Sequence, residues 1–355
     1  MKYAAHGLSV LGTVGSLGLR YFEADPMLTF AVSALAVLGL AYTLGYSTEQ
    51  LGIAAGPKIG GILNATAGNI GEIIIAGFLI NAGQIDVVHA SITGSIIGNL
   101  LLVLGASLLV GGLKNGVQEF DDQVTGMNAA SLILATIGLI VPATVAFVIG
   151  ARADTAPGEH GFHRIESITV GIALVLIVTY AAQMVFFLRS ESGAKPDDVE
   201  PAEWSGRTAL IVLIASAAAL TAVSEALVHT LEPAIETLGV SPLFVGIILI
   251  PIIGNLAEHV VGVTLAYKNQ VDFSLITSIG SATQIALFAA PVLVFYGLWV
   301  GHPLTLVFTP LEVVAVAVSV FIASFIALDG KSNWLEGLQL TSVYIILALG
   351  FFFLT

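Results

Sequence analysis

The chain is written in long apolar runs separated by short polar breaks. A bilayer core takes about 20 apolar residues per helix. On that measure the pattern predicts eleven spans, roughly over 3–20, 27–45, 57–81, 88–112, 123–150, 164–188, 207–230, 240–266, 272–298, 304–328 and 334–354. The first span and the 298–310 connection carry the weakest pattern. Residues 1–19 have the length of a secretory leader. Glycine dilutes their apolar run and Arg20 follows it, so they read as a retained first helix.

Composition agrees with the pattern. Of 355 residues, 57% are hydrophobic and 10% charged, with a mean hydropathy of +0.98. A soluble globular chain carries about 25% charged residues. The expected class is an all-α integral membrane protein. The 38 glycines suit helices that pack closely in lipid. Without cysteine there is neither disulfide nor thiolate chemistry, and the redox compartment stays unread. Most of the net charge of −13 falls in connecting loops, where it describes vestibules facing the membrane surface rather than a nucleic-acid partner.

Alternating the loops across the membrane places Lys2, Lys58, Lys114, Arg189, Lys195, Arg207, Lys268 and Lys331 on one side. Arg20, Arg152 and Arg164 fall on the other. The excess marks the first side as cytoplasmic, with the N-terminus inside, the C-terminus outside, and the cell (plasma) membrane as the location. The longest polar stretch, RSESGAKPDDVEPAEWSG at 189–206, holds five acids, two bases and two prolines without apolar periodicity. It divides the chain into a first helix at 1–26, a five-helix repeat at 27–188, an acidic cytoplasmic linker at 189–206 and a second five-helix repeat at 207–355.

An internal repeat supports that division. GNIGE at 68–72 and GNLAE at 254–258 start an ungapped alignment of 68–111 with 254–297 at an offset of 186 residues. Ten positions are identical, among them Asn69/Asn255, Glu72/Glu258, Gln84/Gln270, Asp86/Asp272 and Ser95/Ser281. Leucine and glycine matches are cheap in so biased a composition; matched polar residues are not. Five spans per half is an odd number, so the second copy enters the membrane from the opposite face. That is an inverted-topology repeat, an architecture of many secondary transporters.

Depth points to one site built from both copies. Glu72 stands 14 residues from both Lys58 and Asp86, which bracket its span. At about 1.5 Å per residue it lies roughly 21 Å from either boundary, at the midplane. Asn99, Glu258 and Gln284 sit at similar depth in their spans. Ionisable groups there are costly and are functional candidates by default. Gly68, Gly71, Pro251 and Gly254 make both motif helices easy to break, and freed carbonyls at membrane depth line cavities and coordinate cations.

Two carboxylates with amides, hydroxyls and carbonyls make an all-oxygen site suited to Ca2+, which takes six to eight oxygens. Glu72 and Glu258 are the expected exchange residues. Asn69, Asn99, Asn255, Gln284, Ser95 and Ser281 complete the ligand set, with His259 beside the second motif. One histidine and no cysteine are too few for a typical zinc site. Buried, mutually repelling carboxylates hold protons when the site is empty, and a divalent cation displaces them. That exclusion is the core of an antiporter. Exchange for two protons would be electroneutral, and a third proton would couple transport to the membrane potential.

The stretches GNIGE followed by GSIIGNLLLVLG, and GNLAEH followed by GSATQIALF, resemble the two signature repeats of the calcium/cation–proton exchanger (CAX) family of the calcium/cation antiporter superfamily. The resemblance covers both repeat regions and the eleven-span layout with its acidic linker. It implies the superfamily fold and exchange of divalent cations for protons, with the acidic pair at Glu72 and Glu258. The polar partners it implies are Asn69, Ser95, Asn99, Asn255, His259, Ser281 and Gln284. Ile70-Gly71 departs from the Ala-Thr or Ala-Val usual in the first motif. The Gly-Thr-Ser-x-Pro-Glu pattern of sodium/calcium exchangers is absent at both places.

The expected function is therefore Ca2+/H+ antiport by alternating access. Na+/H+ or K+/H+ antiport and sodium-coupled calcium exchange are the alternatives. Ca2+ and H+ are the substrates, the lipid bilayer is the surroundings, no cofactor or nucleic acid is expected, and homo-oligomerisation is left open. No nucleophile–base constellation suggests an enzyme. Several polar residues have plainer readings. Asp86 and Asp272 read as helix-capping groups at span boundaries. Glu225 and His229 read as a solvated rim. The acids of QEFDD (118–122) and of the linker are either ordinary loops or a field that concentrates cations.

Overall fold

The computed structural model describes residues 2–56, 59–60, 63, 66–120, 122–150, 161–189 and 202–354. Lys58, Arg152, Lys195, Asp121 and most of the predicted linker lie outside those residues. In chain order the helices are α1 (Lys2–Tyr21), α2 (Pro26–Ala55), α3 (Ile70–Asn81), α4 (Ile85–Ile97), α5 (Leu104–Asn115), α6 (Asp122–Val148) and α7 (Phe162–Arg189). There follow α8 (Gly206–His229), α9 (Leu231–Leu238), α10 (Ile250–Tyr267), α11 (Val271–Gln284), α12 (Ala290–Val300), α13 (Pro310–Ala327) and α14 (Trp334–Phe353). Wider π-helical turns at Gly98–Val103, Val245–Leu249 and Ile285–Ala289 lead into α5, α10 and α12. Two-residue strands, β1 (Gln118–Glu119) and β2 (Lys331–Ser332), pair antiparallel.

The chain is an all-α membrane protein. Among the described residues eight helices are long and apolar enough to cross a bilayer, or nine if α9 and the segment after it, bent by 112°, count as one span. α1 and the short α3 occupy the other two predicted places, so each of the eleven expected segments has a helical counterpart.

Local chemistry sets the helix starts. Asp25 accepts from Leu28 N at 2.9 Å with Pro26 next in line. Thr309 and Glu312 form a reciprocal capping box, as do Asn333 and Glu336. The weakly patterned connection after α12 is the segment 302–309, which has no regular structure although Leu304, Leu306, Val307 and Phe308 are buried. Its backbone is satisfied by side chains: His89 Nε2 lies 2.6 Å from Thr305 O, and Leu306 N donates to Thr169 Oγ1 at 3.1 Å.

The helices gather into two compact units. One comprises residues 1–82, 179–239 and 253–257; the other comprises 83–178, 240–252 and 258–355. In the first unit α1 and α2 pack through small residues. A Cβ on Gly12 would lie 2.8 Å from Ala36 Cα, and one on Gly39 would lie 2.5 Å from Ser9 N. Ser16 and Ser33 share a buried hydrogen bond of 2.7 Å. At one end His6, Tyr46 and Trp204 form an aromatic cluster. In the second unit glycine contacts are closer still. A Cβ on Gly94 would run into the Ile247 carbonyl, and one on Gly337 into the Leu109 backbone. These positions hold glycine because backbone passes where a side chain would stand.

Candidate functional site

In the first unit the GNIGE motif makes a break. Residues 66–67 are helical, Gly68 and Asn69 turn, and α3 starts at Ile70. Asn69 is fully buried at the N-cap, but its side chain does not make the capping bond. Glu72 falls in the first turn of α3, at the positive end of the helix dipole. A Cβ on Gly254 would lie 3.8 Å from Glu72 Cγ. The glutamate of the first motif thus packs against the glycine of the second, and the buried Asn255 belongs to the same unit.

The second unit holds Ser95, Asn99, Glu258, His259, Ser281 and Gln284. Ser281 Oγ donates to Glu258 Oε2 at 2.5 Å. Asn99 Nδ2 donates to Ser281 Oγ at 3.1 Å. An amide nitrogen only donates, so the serine proton is committed to the carboxylate and the order of the chain is fixed. Asn99 Oδ1 is buried and, among the described residues, has no hydrogen-bond partner; the same is true of His259 Nε2. A carboxylate with an unpaired amide oxygen nearby is an incomplete oxygen cluster, the chemistry expected of a hard-cation ligand set. Ser95 lies one turn before Asn99, buried on α4.

The wide turns went unforeseen. Asn99 lies in the first of them, Gly98–Val103, and Gln284 immediately precedes that at Ile285–Ala289. At the repeat offset the two segments occupy matching places. π turns inside helices are frequent at functional sites, and no residue pattern announces one. Among the described residues no group of three or more His, Asp or Glu could hold a metal ion. A divalent cation here would draw most of its ligands from amides, hydroxyls and carbonyls.

The residues with plainer readings are also placed. Asp86 and Asp272 fall in the first turns of α4 and α11. Glu225 pairs with Arg20 at 2.7 Å, with its side chain 54% exposed, as a solvated rim requires. Sequence reasoning missed Glu312, although TPLE at 309–312 carries the capping-box pattern. Glu312 is buried; it closes the box at the start of α13 and accepts from Thr93 Oγ1 at 3.2 Å. It borders a cavity of about 900 Å³ with Asp86, His89, Phe147, Ser241 and Phe308. None of the nine predicted site residues lines that cavity.

The family described as sodium/calcium exchanger protein matches residues 26–189 and 208–353. A Ca(2+)/H(+) antiporter of Aphanothece halophytica is 42% identical over 370 residues, covering 98% of this chain and 95% of that protein. The Ca(2+)/H(+) antiporter ChaA of Bacillus subtilis (strain 168) is 41% identical over 332 residues, covering 92% of each. The solved structure of native YfkE superposes with a TM-score of 0.84 at 35% identity, covering both chains completely.

Proposed function

Because the chain belongs to the sodium/calcium exchanger protein family, we propose that it is a secondary active antiporter exchanging Ca2+ for H+, with Glu72 and Glu258 as its exchange carboxylates. The observation that carries the site reading is the chain Asn99–Ser281–Glu258. It joins three predicted residues from two sequence repeats in one file of hydrogen bonds. The ungapped duplication of GNxxE supports a matching role for Glu72.

The chemistry follows from competition. Ca2+ as substrate binds when the glutamates are ionised. Asn69, Asn99, Asn255, Ser95, Ser281 and Gln284 supply neutral oxygens, and His259 is a further candidate ligand beside Glu258. Protons neutralise the same carboxylates and remove the charge that holds the cation. Each state excludes the other, so one substrate leaves as the other binds. Break-prone motif helices suit the local rearrangement that alternating access needs. With the N-terminus inside and the protein in the cell membrane, cytoplasmic Ca2+ is expelled as protons flow inward.

The test is Ca2+ uptake into proteoliposomes loaded with a pH dye, under an imposed pH gradient and without sodium. Calcium entering as protons leave is the expected result. Uptake that needs a sodium gradient would instead establish the sodium-coupled reading, which the description of the matching family keeps in view.

A further inference from the structure

In the second unit a seam of buried hydroxyls leads away from Glu258. Ser274, Ser278 and Ser281 lie at helical spacing on one face of α11, all buried. Ser278 Oγ donates to Ser274 O at 3.0 Å. Ser107 of α5 is fully buried, and its Oγ has no hydrogen-bond partner among the described residues; the same holds for Ser274 Oγ. Ser107 and Ser278 face one point. Gly262, one turn after Glu258 on α10, has no side chain, and a Cβ there would lie 3.4 Å from Ser107 Oγ and 3.6 Å from Ser278 Oγ.

The seam has a defined far end. One turn beyond Ser107, the Gln118 side chain occupies the place that a side chain on Gly111 would take. Gln118 Nε2 donates to Ala266 O at 3.1 Å and to Asn269 Oδ1 at 2.9 Å. Gln118 is buried and Asn269 is exposed. Buried hydroxyls without partners are costly, and native proteins satisfy them with ordered water where polar partners converge and there is room. At Gly262 the unpartnered Ser107 hydroxyl and the Ser278 hydroxyl converge, with Val103 Cγ1, on the space of a missing side chain, and the unpartnered Ser274 hydroxyl lies one turn from Ser278 on α11.

We propose that this seam holds a file of water molecules running from the Ser281 hydroxyl past Ser278, Ser107 and Ser274 to Gln118, and that protons reach and leave the exchange site along it. The inference rests on the reading of Glu258 as an exchange carboxylate. Each hydroxyl and water accepts one proton as it releases another, so no charge is stored on a serine. Calcium, which needs six to eight oxygen ligands, does not fit where only one glycine side chain is missing. The seam therefore passes protons and excludes the cation, and Ser107, Ser274 and Gly262 are positioning residues.

The experiment compares the Ser107→Ala/Ser274→Ala double variant with the native chain, full length, by equilibrium 45Ca2+ binding and by proton-coupled flux in proteoliposomes. Retained binding with an about tenfold loss of flux is expected, below the 10²–10⁴ contributed by a proton-transfer group acting directly. Flux should also slow more in D2O than for the native chain. Ser274→Thr, which keeps the hydroxyl, should stay close to native flux, while Ser274→Ala falls. Native flux in the double variant overturns the proposal. So does parallel loss of binding and flux, which assigns the serines to structure alone. Glu258→Gln separates the two readings: unimpaired coupled flux there removes the exchange carboxylate, whereas native flux in the serine double variant removes only the seam.

Discussion

Glu72 and Glu258 occupy equivalent places in two sequence copies but have different surroundings. Glu72 packs beside Gly254, whereas Glu258 holds the Ser281 hydroxyl at 2.5 Å. Glu72→Gln and Glu258→Gln should each reduce proton-coupled Ca2+ flux to background while the protein still folds, as checked by proteoliposome uptake and a melting curve. Ser281→Ala should be graded instead. Hydrogen bonds to charged groups contribute about 1.5–3 kcal/mol, so Ca2+ affinity should fall by about ten- to a hundredfold in a titration. Asp86→Asn, at a helix start, should change flux little; an inactive variant would move the site away from the glutamates. The nine candidates stand out in the sequence because polar residues are scarce in these spans, and six of them form matched pairs across the two copies. The bond between Asn99 and Ser281 was not legible, since it joins residues 182 apart at unmatched places in the two copies.

The apolar pattern marks where helices run but is silent on how close they come. Gly94 looks like one more small residue, yet the Ile247 carbonyl fills the space beside it. Gly94→Ala must push backbone aside, and overpacking costs about 1–3 kcal/mol or more. A melting point lowered by several degrees, with reduced expression of folded protein, is expected. The β1–β2 ladder behaves differently. Lys331 Nζ sits 2.7 Å from Glu119 Oε1; the lysine holds the Glu119 pKa below its ordinary value, and the glutamate raises that of Lys331. The glutamate contribution is present above its unfolded pKa and is lost as pH falls through the lowered folded value. The lysine contribution is present below its unfolded pKa and is lost as pH rises through the raised folded value. The pair thus persists across neutral pH. Both groups are exposed, so salt and solvent screen it. Lys331→Ala should leave the melting temperature unchanged within error at pH 7.

At the scale of the molecule, the sequence divides into two repeats in series, whereas each compact unit draws residues from both halves. Hydropathy cannot reveal that interleaving, because it records how apolar each segment is and not which segments pack together. One measurement reads the assembled protein. A ligand that binds only the folded state stabilises it by about 2.7 kcal/mol at one hundred times its dissociation constant. Ca2+ should therefore raise the melting temperature of the native chain in detergent. In the proposed exchange protons compete for the same carboxylates, so the shift should shrink as pH falls and vanish in Glu72→Gln and Glu258→Gln. A shift independent of pH would break the link between the two substrates.

The wide turns at Gly98–Val103 and Ile285–Ala289 stand at matching places in the two repeats. A π turn carries one residue more than the α-helical turn it replaces. Excising one residue from either turn would restore a regular spiral. It would also swing everything downstream by about 100°, and with the residue taken from Gly98–Val103, Ser107 would no longer face Gly262. In this chain these turns should tolerate substitution far more readily than any change in length.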